Sequence, residues 1–135
     1  MKHSTAPMNA EEARYVEACK DGFCVACLIR EASPDAPPFF VPAHGCDFHH
    51  FKSGNVRVGH LWGVGLCAWH HRGIPLEAWK PEHMRRHFGP SLMDGSRTFH
   101  ATYGDDTALL ERQDETLRDW GHEPPARPEN RRWAA

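Results

Sequence analysis

The feature that most constrains this chain is a spacing that occurs twice, in Cys24-Val-Ala-Cys27 and in Cys67-Ala-Trp-His70. Each pair offers two soft or borderline donor atoms on a tight turn, and four such donors make a tetrahedral structural zinc site. Thirty-nine residues, 28 to 66, separate the pairs and must fold back if one ion is to be shared. A chain of 135 residues is one domain with a modest core, so such an ion would contribute directly to folding. Cys24, Cys27, Cys67 and His70 are therefore the expected zinc ligands. Cys46, His44 or His71 are substitutes, and buried cysteines without a metal are the plain alternative.

The remaining composition agrees with metal chemistry. Five cysteines are an odd number, and with a Cys-x-x-Cys pair and no hydrophobic leader they favour a reducing, cytoplasmic setting over a disulfide framework. The longest apolar run, residues 61–69, is too short to span a bilayer and is broken by Gly63 and Gly65, so no membrane association is expected. Eleven histidines are an excess of the commonest metal ligand and the usual general base near neutral pH. The net charge of −2 conceals a basic centre: residues 49–100 hold seven lysines and arginines against three acidic residues. A polyanion can meet such a face on a nearly neutral protein.

Local signals divide the chain. Residues 1–8 carry no pattern and are expected to be disordered. Asn9 followed by Glu12 opens a short helix that ends at Lys20-Asp21-Gly22. Residues 31–43, with Pro34, Pro37, Pro38 and Pro42, form an extended connector pinned to the core by Phe39, Phe40 and Val41. Residues 45–51 and 61–67 read as an antiparallel hairpin joined by the loop 52–60. A helix from Ala68 carries Trp69, His70 and His71 to a stop at Gly73 and Pro75. Pro81–Phe88 and Ser96–Tyr103 are further short helices. Asp105 caps the clearest helix, with Leu109, Leu110, Leu117 and Trp120 as its apolar stripe and an acidic, solvated remainder. Residues 9–121 thus form the domain, and residues 122–135, with three prolines, a flexible tail. Trp62, Trp69 and Trp79 are expected in the core or around the zinc.

With His70 on zinc, His71 points elsewhere, because neighbouring helical residues lie about 100° apart. His49, His50 and His71 are then free for chemistry. Hydrolysis of a phosphodiester needs a general base for water and a divalent ion for the charge building on the phosphate. His49 and His50, at a strand end entering a glycine-containing loop, can divide that work.

Asp47-Phe48-His49-His50, the loop, Leu66-Cys67-x-x-His70-His71, the upstream Cys-x-x-Cys and the downstream Phe99-x-x-x-Tyr103-Gly104 together resemble the HNH nucleases, and within them the phage-type, RecA-dependent Ref nucleases. The resemblance covers roughly residues 23–110. It implies an α+β fold with a ββα-metal core, a hairpin and helix clasping one ion, supported by a zinc knuckle and flanking helices. It also implies His50 as general base and His49 and His71 as ligands of a catalytic Mg²⁺ or Mn²⁺, with Co²⁺, Ni²⁺ or Zn²⁺ as further candidates. His87, with His83 behind it, is the expected third ligand. The middle Asn of the motif has no counterpart just before Leu66-Cys67, and His60 or Asn55 stands as its replacement. Lys52, Arg57, Arg72, Arg85 and Arg86 would meet DNA phosphates without reading sequence. A recombinase filament and a bacterial or phage-infected cell follow from the same resemblance. The rival readings are a non-catalytic zinc module for nucleic acid or protein, and a zinc hydrolase with an enclosed small-molecule pocket.

Overall fold

The structure, a computed structural model, describes residues 7–130 and 133. The disorder expected of residues 1–8 falls, but for its last two positions, outside them. Among the described residues the chain is α+β, with six α-helices and two small antiparallel sheets.

Helix α1 (Ala10–Asp21) begins with the expected capping box: the Asn9 side chain accepts from the Glu12 amide, and the Glu12 carboxylate accepts from the Asn9 amide. Helix α2 (Val25–Glu31) was not anticipated. Cys24 is its N-cap, with Sγ accepting from the Cys27 amide at 3.4 Å, so the metal knuckle also starts a helix. The connector that follows has neither helix nor strand, but only one of its three supposed anchors is used. Phe40 is buried, while Phe39 and Val41 are 99% and 71% exposed, because a single extended turn cannot aim three successive side chains inward.

Strand β1 (Asp47–His50) pairs antiparallel with β4 (Gly63–Leu66), with Asp47 opposite Leu66 and His50 opposite Gly63. The intervening loop holds its own small hairpin, β2 (Lys52–Ser53) with β3 (Val56–Arg57). Strand β4 is wholly buried between helices. Gly63 and Gly65 permit that: a Cβ at Gly63 would strike the His49 carbonyl and the Phe48 ring, and one at Gly65 the Cys19 carbonyl of α1. The free edge of β4 is satisfied from both sides, by Tyr15 donating to the Gly63 carbonyl at 2.7 Å and Gln113 accepting from the Gly65 amide at 2.8 Å.

Helix α3 (Ala68–Arg72) leaves β4 directly, capped by Cys67 and ended at Gly73. Helices α4 (Pro81–Phe88), α5 (Ser96–Tyr103) and α6 (Asp106–Asp119) have the expected bounds, with Asp105 capping α6. Arg30 of α2 donates to the carbonyls of Arg86 and His87 and so closes the C-terminal end of α4. Trp62 and Trp69 are buried as expected, and Trp79 packs against the core. The acidic face of α6 is not simply solvated, however. Asp114 on it pairs with Arg127 from the segment expected to be a loose tail, while Gln113 is buried in line with Leu109 and Leu117. That segment has no regular structure over its described residues, yet it is bonded to the domain.

Candidate functional site

The knuckle and the start of α3 bring Cys24, Cys27, Cys67 and His70 together, with every pair of donor atoms within 4.8 Å. His70 Nδ1 lies 3.4, 3.6 and 3.3 Å from the sulfurs of Cys24, Cys27 and Cys67, and the Cys27 and Cys67 sulfurs are 4.0 Å apart. Zinc–sulfur bonds of about 2.3 Å and zinc–nitrogen bonds of about 2.0 Å in a tetrahedron require edges of about 3.8 Å and 3.5 Å. The separations are therefore those of ligands around one ion. All four residues are buried, so the site is closed and structural in character.

The imidazole of His70 is set for this role by its other nitrogen. Nε2 lies 2.9 Å from the Phe88 carbonyl and 3.0 Å from the Tyr103 hydroxyl. A carbonyl can only accept, so Nε2 carries the proton and Nδ1 keeps its lone pair for the metal. Tyr103 is in turn fixed by the carbonyls of Phe88 and Pro90, which gives the Phe99-x-x-x-Tyr103-Gly104 motif a physical role that the sequence alone did not suggest. Without an ion the cluster is electrostatically awkward. Burial pushes the Cys24 thiol up; at Cys27 a hydrogen bond with Cys24 favours the thiolate, but the bond with Cys67 and burial outweigh it. Both thiols then serve Cys67, whose pKa is strongly lowered by its hydrogen bonds from Cys24 and Cys27. The alternative zinc donors sit elsewhere: Cys46 Sγ faces the Gly22 carbonyl, His44 packs on Phe23, and His71 bonds Asp47.

A second constellation lies on the other side of α3. An open cleft of about 260 Å³ is lined by His49, His50 and His71 together with Lys52, Arg57, Phe48 and Leu92. The rings of His49 and His71 meet edge to face, 5.3 Å between centroids and 63° between planes. His71 Nδ1 is 2.9 Å from a carboxylate oxygen of Asp47, which can only accept, so Nδ1 holds the proton and Nε2 is the nitrogen left with a lone pair. Arg72 Nε donates to the same oxygen at 2.7 Å. Burial alone would raise the Asp47 carboxyl, but the bonds from His71 and Arg72 hold it below its usual value. His50 Nε2 is 3.2 Å from His60 Nδ1. Strand alternation is kept here, since His49 packs with Phe51 and His50 with Phe48.

Both strand histidines are electrically neutral at pH 7. Burial, then the charges of His71 and others, brings His49 down to about 4. Burial, then Arg57 and His60, brings His50 to about 4 as well. Neutral imidazoles retain the lone pair that either a cation or a proton needs.

His87 is not brought to this cleft. Its ring packs against Phe40, Trp79 and Phe88, and its neighbour His83 stacks on Trp79 at 4.0 Å. The i, i+4 spacing of that pair on α4 serves aromatic packing. Among the expected phosphate contacts, Lys52 and Arg57 face each other across β2 and β3 at the cleft, and Arg72 is held beside it by Asp47. Arg85 is paired with Asp94 at 3.0 Å, and Arg86 is exposed on α4, away from the cleft lining. Asp47 was quoted in the motif without a role; its place opposite two cationic or proton-donating side chains depends on the β1–α3 packing, which no spacing rule reveals.

Among the described residues no helix is long and apolar enough to cross a membrane. No curated protein and no solved structure matches the chain. Residues 8–118, most of the chain, match the family model described as "Recombination enhancement, RecA-dependent nuclease", and the protein belongs to that family of nucleases.

Proposed function

We propose that the protein is a zinc-supported HNH endonuclease that hydrolyses DNA phosphodiester bonds, with the β1–β4 hairpin and α3 as its ββα-metal unit. The observation that carries this reading is the close pair His49 and His71, one from the hairpin and one from the helix, in a cleft that His50 also lines. His49 and His71 would hold one divalent cation, and their donor chemistry suits Mn²⁺ as well as Mg²⁺. When bound, such an ion stabilises charge on the phosphate and the departing 3′ oxygen.

The remaining work falls to side chains. His50 Nε2 lies 3.2 Å from His60 Nδ1; in the tautomer where Nε2–H donates to His60, Nδ1 of His50 would be left to take a proton from the attacking water. His60 thereby fills the place of the motif's missing Asn. Asp47 orients His71 and anchors Arg72 near the phosphate path. Lys52 and Arg57 meet the backbone of the DNA on the opposite rim, contacts that are independent of sequence and sensitive to salt. The family description makes a recombinase filament on the DNA the natural setting of the reaction.

The test is cleavage of supercoiled and single-stranded DNA, bare and recombinase-coated, by wild type and His71→Ala in Mg²⁺ or Mn²⁺. Metal-dependent cleavage lost in the variant, at unchanged zinc content, supports the reading. Binding of DNA with no cleavage of any substrate points instead to a non-catalytic zinc module.

A further inference from the structure

The family match ends at residue 118, but the chain continues and returns to the loop that carries His60. Arg127 donates from Nη1 and Nη2 to both carboxylate oxygens of Asp114 at 2.6 and 3.0 Å, and its guanidinium lies over the Tyr15 ring at 5.0 Å. The two paired side chains are only 14% and 15% exposed. Arg127 Nε also donates to the Leu61 carbonyl at 2.6 Å, and Asn130 Nδ2 donates to the Val58 carbonyl at 2.9 Å. Trp133 stacks on Phe51, 5.6 Å between centroids and 21° between planes.

These attachments converge on one short stretch. Val58 and Leu61 bracket His60, the partner of His50, and Phe51 directly follows His50. Residues 58–62 belong to neither helix nor strand; backbone bonds tie Val58 and Trp62 to Phe51, and the bonds from Arg127 and Asn130 add to these. A buried, bidentate Arg–Asp pair fixes geometry more tightly than a surface pair can.

We propose that residues 122–130, together with Trp133, act as a strap that positions His60, and through it His50, with Arg127 and Asn130 as positioning residues. The catalytic consequence rests on the assignment of His50 as general base. With the strap released, His60 shifts, its 3.2 Å contact with His50 Nε2 weakens, and the His50 ring is less tightly oriented. Misplacement of about 1 Å at a reacting group can cost about 100-fold in rate, so a loosened strap should lower kcat about tenfold or more. KM should stay within about twofold, since Lys52, Arg57 and Arg72 are retained.

The experiment compares wild type with Asn130→Ala and with the double variant Arg127→Ala/Asp114→Asn, which leaves no buried charge unpaired. Zinc content and thermal melting establish folding, imidazole ¹H–¹⁵N spectra report the His50 and His60 rings, and plasmid cleavage gives kcat and KM. The expected result is that the His50 and His60 ring signals move together and kcat falls at nearly constant KM. Ring signals unchanged in the folded variants would overturn the strap, as would faster cleavage, which would mean that the segment masks the cleft. Should the double variant fail to fold, Asn130→Ala decides alone. Moved ring signals alongside full cleavage by His50→Ala would uphold the strap and remove His50 as the base.

Discussion

Replacing Cys27 with alanine removes one corner of a tetrahedron that joins the start of α2 to the start of α3. Structural zinc sites in small domains contribute about 10–16 kcal/mol at pH 7. An entire domain is stable by only about 5–15 kcal/mol, so loss of the ion consumes all or nearly all of it. The vacancy would not heal locally, because Cys24, Cys27 and His70 are fully buried and the core around them is built from α2, β4 and the Trp69 and Tyr103 side chains. Cys27→Ala should therefore lack stoichiometric zinc and lose its cooperative thermal transition, and a strong chelator should do the same to wild type. Affinity should also weaken as pH falls. The Cys24 and Cys27 thiols are held up in the metal-free cluster and zinc binds thiolates, so binding displaces protons that acid restores. The assays are metal content, calorimetry with and without chelator, and competition for zinc between pH 6 and 8. A metal-free protein that melts cooperatively at the wild-type temperature would refute the argument.

Other expectations concern single contacts. Gln113→Ala strands the Gly65 amide in the core, at a cost of about 1–3 kcal/mol and a fall in Tm of roughly 4–12 °C, read by calorimetry. Asp47→Asn removes the carboxylate that fixes His71 and should weaken Mn²⁺ binding about 10–100-fold without loss of zinc, measured by titration calorimetry on the zinc-loaded protein. His49 and His50 have folded pKa values below that of an unfolded histidine, so the unfolded chain takes up protons first and stability drops as pH falls from about 6.5 towards 4. For the pair that is roughly 1–3 kcal/mol between pH 7 and 5 after screening at half-buried His50, to be seen in denaturant melts. Melts unchanged over that range would contradict the burial argument.

Much of this architecture is visible in local chemistry. Asn9 with Glu12, Asp105, Pro81 and the glycines that end α1, α3, α4 and α5 set bounds that the structure keeps, because caps act within one turn. The clustering of Cys24, Cys27, Cys67 and His70 into a site that could hold zinc is also legible, since a ligand pair on a turn is a local pattern. What was hidden depends on partners distant in sequence. Helix α2 is started by a cysteine sulfur, an unusual cap whose neighbour looked like a knuckle alone. Asp114 belongs to the acidic remainder of α6 expected to be solvated, yet Arg127 buries it, and the role of Gln113 needs the distant Gly65 amide. His87 has the right chemistry for a ligand, but α4 turns it into the aromatic packing around Trp79. His60 became the partner of His50 only through the loop that returns Val58 to Phe51.

The central claim is that His50 is the group that deprotonates water. The most direct measurement is single-turnover cleavage of supercoiled DNA in Mn²⁺ by wild type and His50→Ala, matched for zinc content and DNA affinity. A general base contributes about 10²–10⁴-fold, so the variant should bind DNA and Mn²⁺ normally yet cleave slower by that factor. Cleavage by His50→Ala within a few-fold of wild type would place the base elsewhere in the cleft and contradict the account.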